Sequence, residues 1–280
     1  MKGRGVGVAI GVLALALGSA LAAPAAAARA DEVGARSSST VDRFDTVVLD
    51  AGHGGDDHGA EGASGLREKD LVLDVVRRLR ARLEKDSLRV VLTRDGDAYV
   101  PLQERTAIAN RAGGDLFVSV HANAAHARAA RGIEIFFAAL EASDEATRQL
   151  AERENAAFRE AAPTDDDPLA SILGDLAEAD QMRESDEFAR FAHQRVASID
   201  ADVPSRGVKQ APFVVLMGVQ MPAALVEIGF ITNPKEEREL ADDDHRERVA
   251  EALASAITDF ASRYDARRGV ERGASGRGDM

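Results

Sequence analysis

Two histidines and two glutamates in this 280-residue chain stand where apolar runs give way to polar ones. His53 follows "VVLDAG", His121 closes "LFVSVH", Glu227 interrupts "LVEIGF", and Glu68 lies in "REKD" at the head of an amphipathic stretch. Two imidazoles and one carboxylate make the donor set of a catalytic zinc site, which keeps a fourth position open for water. The remaining carboxylate then serves as general base toward that water, whose pKa zinc lowers to about 7. A carboxylate between Val226 and Ile228 would cost on the order of several kcal/mol to bury without partners, a cost that a metal site removes.

The elements around these residues explain how they could meet. Thr46 to Leu49 reads as a strand. Leu71, Val72, Val75, Val76, Leu79 and Leu83 recur at helical spacing, so a helix is expected over Lys69 to Lys85. "RVVLTR" (Arg89 to Arg94) reads as a strand, "LQERTAIANRAGG" as a helix closed by Gly113-Gly114, "DLFVSVHAN" as a buried strand and "GIEIFF" (Gly132 to Phe137) as another. From Glu141 to Asp202 the chain turns helical, charged and weakly apolar. The strand pattern resumes with "PFVVLMG" and "PAALVEIGFITNP", Asn233-Pro234 opens a helix, and Arg246 to Tyr264 is a last amphipathic helix. Alternating strands and helices imply an α/β fold with a twisted, mostly parallel sheet flanked by helices. In such a sheet the carboxyl ends of the strands gather along one edge, which is where ligands bind. His53, His121 and Glu227 would share that edge, with Glu68 beside them. The glycines around His53 would leave room for whatever approaches it.

Composition narrows the partners. The chain has no Cys, so disulfides, thiolate metal sites and Cys nucleophiles are excluded, and any metal must be held by Asp, Glu or one of six His. Lys2 and Arg4 before an apolar run from Val6 to Leu17, then Ala20-Leu21-Ala22, have the pattern of a signal peptide over residues 1–22, with Ala28-Arg29-Ala30 as a later cleavage signal. No later stretch is long and apolar enough for stable membrane insertion. The net charge is −13, and removing Lys2 and Arg4 takes it to −15 (−13 minus 2), a poor match to nucleic acid or anionic lipid. Residues 31–43 are expected to be a linker and 266–280 a disordered tail.

"LDAGHGG", "LREKDL", "SVHAN" and "LVEIGFITNP", in that order, resemble the zinc-dependent N-acetylmuramoyl-L-alanine amidases of bacterial cell walls, the Amidase_3 type. The resemblance runs from about Val47 to about Ile257. It implies a catalytic domain over 44–265 with one Zn2+ held by His53, Glu68 and His121, and Glu227 as the catalytic carboxylate. It implies hydrolysis of the amide joining N-acetylmuramic acid to L-Ala in peptidoglycan, for cell wall remodelling and daughter-cell separation in the periplasm. One departure is Asp57-His58, where the family often has Asp-Pro; His58 is expected to be an exposed loop residue. Glu134 and Asn123 are further candidates to line the groove.

The stretch 141–202 resembles the regulatory insertion of cell-separation amidases, in which a helix covers the zinc cleft until a LytM-type activator protein binds. On that resemblance Asp180 or Glu178 is expected to occupy the open zinc position at rest. Two other readings fit the metal set: a zinc peptidase or deacylase acting on another amide, and a non-catalytic wall-binding protein of the same fold.

Overall fold

The fold is built on Thr46–Ala51 (β1), whose six residues are all buried. A strand apolar on both faces belongs in the middle of a parallel sheet covered on each side. This computed structural model describes residues 43–156, 179–200, 202 and 204–270. The expected signal peptide, the linker up to residue 42, Glu178 and the tail from residue 271 lie outside them. Among the described residues no helix is long and apolar enough to cross a membrane.

Six strands form one sheet: β1, Arg89–Leu92 (β2), Leu116–Asn123 (β3), Ile133–Ala138 (β4), Ser205–Ala211 (β5) and Ala223–Phe230 (β6), in the order β2-β1-β3-β6-β4-β5. Four of the five pairings are parallel, and β4 runs antiparallel to β6. That single reversal matters for the site, because it sets Glu134, at the start of β4, directly opposite Glu227 near the carboxyl end of β6. On the other side of β6, His121 is in register with Glu227. Three chemically active side chains thus form one row across three neighbouring strands.

Helices cover both faces. Glu68–Lys85 (α1), Ala179–Ala197 (α4) and Asp243–Arg267 (α7) pack on one core, in which Val75, Leu79, Phe188, Ala192, Ile257 and Phe260 are fully buried. Leu102–Ala112 (α2), Glu145–Glu154 (α3) and Val214–Met217 (α5) face the other, around Phe117, Phe136, Phe213 and Leu225. Pro234–Ala241 (α6) follows β6 directly, and the Asn233 side chain caps it by accepting from the Lys235 and Glu236 backbones.

One expectation is corrected here. "PFVVLMG" is not a strand: Val214–Met217 is one buried helical turn. A short apolar run cannot tell a buried strand from a buried helix. The strand in that region is "SRGVKQA", an edge strand whose Arg206 and Lys209 carry the charges that edge strands use to avoid pairing with other chains. Within the stretch 141–202, Phe188, Ala189, Ala192 and Val196 of α4 are fully buried in the main core, and among the described residues of that stretch α3 is the helix that reaches the site, through Glu154.

Candidate active site

His53, Glu68 and His121 come together as the sequence predicts, their ligand atoms all within 4.8 Å of one another. His53 stands just after β1 with φ of 58°, a left-handed backbone unusual for a residue other than glycine. Its carbonyl accepts from Arg105 Nη2 at 2.7 Å, and its ring Nδ1 meets Asp57 Oδ2 at 2.9 Å, which leaves Nε2 aimed at Glu68. Glu68 is the first residue of α1. Its Oε2 accepts from the Ala60 backbone at 2.8 Å and its Oε1 from the Ala122 backbone at 2.9 Å. His121 comes from the end of β3.

The glycines do make the space expected of them. A Cβ on Gly52 would lie 2.4 Å from His121 Cε1, and one on Gly59 would lie 2.6 Å from both Glu68 Oε2 and His53 Cδ2. Either would push a side chain out of the cluster.

A fourth group completes the arrangement. Glu154 Oε2, from the last residue of α3, lies 3.5 Å from His53 Nε2 and 3.3 Å from His121 Nδ1. Glu68 Oε1 lies 3.2 Å and 3.1 Å from the same two nitrogens. Those spacings are close to the edges, about 3.3–3.4 Å, of a tetrahedron whose centre is about 2.0–2.1 Å from each corner, the bond length of zinc to imidazole nitrogen and carboxylate oxygen. His53 Nε2 is moreover buried with no hydrogen-bond partner, as a metal-binding nitrogen would be. The donor set therefore fits a divalent metal.

A model of the family Amidase_3, N-acetylmuramoyl-L-alanine amidase, matches residues 47–259. The chain belongs to this family. It is 37% identical over 223 residues to the N-acetylmuramoyl-L-alanine amidase AmiA of Escherichia coli K12, covering 78% of this chain and 77% of that protein. It is 35% identical to AmiC of Escherichia coli O6:H1, covering 77% of this chain and 52% of that one. Among solved structures, AmiC2 of Nostoc punctiforme superposes with a TM-score of 0.58 at 29% identity, over 78% of this chain and 97% of that one. An amidase from Clostridium difficile 630 gives 0.60 at 28% identity, over 78% and 97%. The protein is thus an N-acetylmuramoyl-L-alanine amidase, a hydrolase of peptidoglycan.

The electrostatics of the amidase site are those of a cage of mutual dependence. Burial alone would lower His53, but the charge of Glu68 and the hydrogen bond that its ring makes to Asp57 outweigh it and raise His53 to about 10. Burial would also lower His121, yet Glu154 and Glu68 lift it well above its ordinary value. Glu68 moves the other way: the two imidazoles overcome its burial and hold it well below the carboxylate range. Glu227 is fully enclosed, and burial together with the carboxylates of Glu154, Glu68 and Glu134 pushes it well above that range. Its Oε2 is buried without a hydrogen-bond partner.

Of the other expected residues, Glu134 and Asn123 are buried and bonded to each other, Asn123 Nδ2 donating to Glu134 Oε2 at 3.0 Å. His58 is exposed, as expected. Asp180 is not at the site. It is exposed near the start of α4 and pairs with Arg183 at 3.2 Å. The acid at the two histidines is Glu154, which the sequence reading passed over because "LAEREN" looks like any charged helix surface. Arg94 and Arg105 were also missed. Both are buried, and both hold backbone carbonyls at the end of β1: Arg94 those of Ala51 and Gly52, Arg105 those of Ala51 and His53. A helix or strand-end arginine carries no mark of burial in a single sequence.

Proposed function

We propose that the amidase is a zinc enzyme in which His53, Glu68 and His121 hold the metal, Glu227 moves the proton, and Glu154 closes the fourth metal position at rest. The observation that carries this reading is Glu154 Oε2, 3.5 Å and 3.3 Å from the two imidazole nitrogens, where a water would otherwise belong. When bound, zinc supplies a water acidified to a pKa of about 7 and polarises the amide carbonyl. Asp57 keeps the His53 ring turned so that Nε2 faces inward. Two backbone amides, of Ala60 and Ala122, hold the Glu68 carboxylate against both rings. Glu227 takes a proton from the attacking water. It returns that proton to the L-Ala nitrogen as the C–N bond to the lactyl group breaks, so water and amide become acid and amine.

Regulation follows from α3. A carboxylate in the open position excludes the water, so the enzyme rests inactive until α3 is lifted, in our reading by a LytM-type activator protein. The N-terminal pattern of Lys2, Arg4 and the apolar run supports export to the periplasm, and the resemblance of 141–202 to the insertion of cell-separation amidases supports a role in daughter-cell separation.

The test is digestion of purified peptidoglycan by zinc-loaded mature chain, with released ends identified by mass spectrometry. Glu154→Ala is expected to release stem peptides with free L-Ala amino termini. Adding Glu227→Gln to it is expected to abolish that release with zinc still bound at one per chain. Retained activity in the double variant removes Glu227 from its role, and activity that survives chelation removes the metal.

A further inference from the structure

Beyond the cluster of His53, Glu68 and His121, on the side of β4 and β5, an open cavity lies between the sheet edge and α3. Its sheet side is Asn123, Glu134, Arg206 and Phe230, and its cover is Thr147, Leu150 and Arg153 of α3. Arg206 stands at its wall, and Lys209 lies behind the wall on the same carboxylate, Glu134. Lys209 Nζ donates to Glu134 Oε1 at 2.9 Å and Arg206 Nε lies 3.0 Å from the same oxygen. The Arg206 guanidinium also stacks over Phe230, 5.1 Å from its ring centre. Two positive charges on one buried carboxylate leave one unneutralised. In the resting structure that one is met from α3: Asp144 Oδ2 lies 3.0 Å from Lys209 Nζ. Thr147 Oγ1, buried in the cover, has no hydrogen-bond partner.

We propose that Lys209 and Arg206 form a subsite for a carboxylate of the stem peptide, and that Asp144 fills this subsite while α3 is closed. The proposal rests on the reading of α3 as a removable cover. In it α3 imitates the substrate twice, with Glu154 at the metal and Asp144 at the cations. When α3 lifts, Asp144 leaves and Lys209 needs a new anion. Position favours the stem peptide as its source. Glu134 is directly opposite Glu227, and Lys209 lies on the next strand out. Two strand spacings are about 10 Å, and an extended chain covers about 3.3–3.6 Å per residue. The cations are therefore two to three residues beyond the scissile amide, where a stem peptide carries free carboxylates.

The experiment is a calorimetric titration of the mature Glu154→Ala chain with the tripeptide L-Ala-γ-D-Glu-diaminopimelate and with the same peptide fully amidated on its carboxyl groups. The acid peptide is expected to bind about tenfold tighter. Lys209→Met, and separately Arg206→Gln, should abolish the difference, and Lys209→Arg should retain it. In the chain with native Glu154, Asp144→Asn should strengthen binding of the acid peptide by vacating the subsite. In hydrolysis of matching muropeptides by the Glu154→Ala chain, Lys209→Met should raise KM for the acid substrate and leave kcat and the amidated substrate unchanged. Equal affinity for the two peptides, or equal losses on both substrates, overturns the subsite. Turnover of the amidated substrate reports separately on the amidase and cover reading, so the two failures are distinct.

Discussion

The loop from His53 to Glu68 and the helix α3 deliver carboxylate and imidazole atoms to the same point, but they are held in opposite ways. The loop is fixed from beneath by buried charge. Arg94 and Arg105 grip carbonyls of Ala51, Gly52 and His53, Lys69 donates to the Gly55 carbonyl at 2.7 Å, and Glu237 receives both the backbone and the hydroxyl of Ser64. Arg105 is itself paired at 2.8 Å with Asp50, which also receives Thr93 and Ser119. By contrast α3 is held mainly at its ends. Asp144 caps it by accepting from the Thr147 backbone at 2.8 Å. At the other end Asn155 donates to the Pro212 carbonyl at 2.7 Å and accepts from the Val214 backbone at 2.9 Å. Between them only Thr147, Leu150 and Ala151 are buried. The difference is between a loop anchored along its length by buried charge and a helix anchored mainly at its ends, as the proposed removable cover requires.

The contrast can be broken first on the fixed side. Arg105→Met would leave Asp50 a buried, unpaired charge and is expected to destabilise the domain by about 3–5 kcal/mol, read from urea unfolding. A loss under 1 kcal/mol would mean that the loop does not depend on this pair. Gly59→Ala sharpens the same side. Its Cβ would crowd Glu68 and His53, and zinc affinity by competition with a chelator should fall by about 10–100-fold, the range for disturbed support of a metal ligand.

On the movable side, Asn155→Ala should raise peptidoglycan hydrolysis while shifting global unfolding by less than about 1–2 kcal/mol, since it unlatches one end of a helix that contributes little core. If hydrolysis falls together with stability, α3 belongs to the scaffold. The smallest effect is at the cap. Asp144 is held at about 2, below its ordinary value near 4, by the hydrogen bond from the Thr147 backbone and by Lys209. Its support of α3 is therefore complete above about 4 and lost as pH falls through about 2. The Thr147 amide resonance should titrate with a midpoint near 2, and in Asp144→Asn it should not titrate there.

The same contrast explains how far the sequence could be read. His53, His121 and Glu227 were legible because each interrupts or ends an apolar run, and parallel topology gathers such ends at one edge. Glu68 was legible through motif order. Glu154 was not, because an acid on a charged helix looks solvated until the fold lays that helix across the cleft. For the same reason the sequence pointed to Asp180, which is exposed and paired with Arg183, and not to the acid that lies beside the two histidines. Strand β5 was hidden for a related reason: an edge strand that carries Arg and Lys lacks the apolar alternation that marks a strand. The reversal of β4, which brings Glu134 beside Glu227, is a property of pairing and has no local signature.

The most direct measurement is the initial rate of peptidoglycan hydrolysis by the mature chain and by Glu154→Ala, at equal zinc content and without activator. A carboxylate in the open metal position predicts that Glu154→Ala is at least tenfold faster and Asp180→Ala no faster than the unaltered chain. Equal rates for Glu154→Ala and the unaltered chain would contradict the account, because α3 would then lie over the site without closing it.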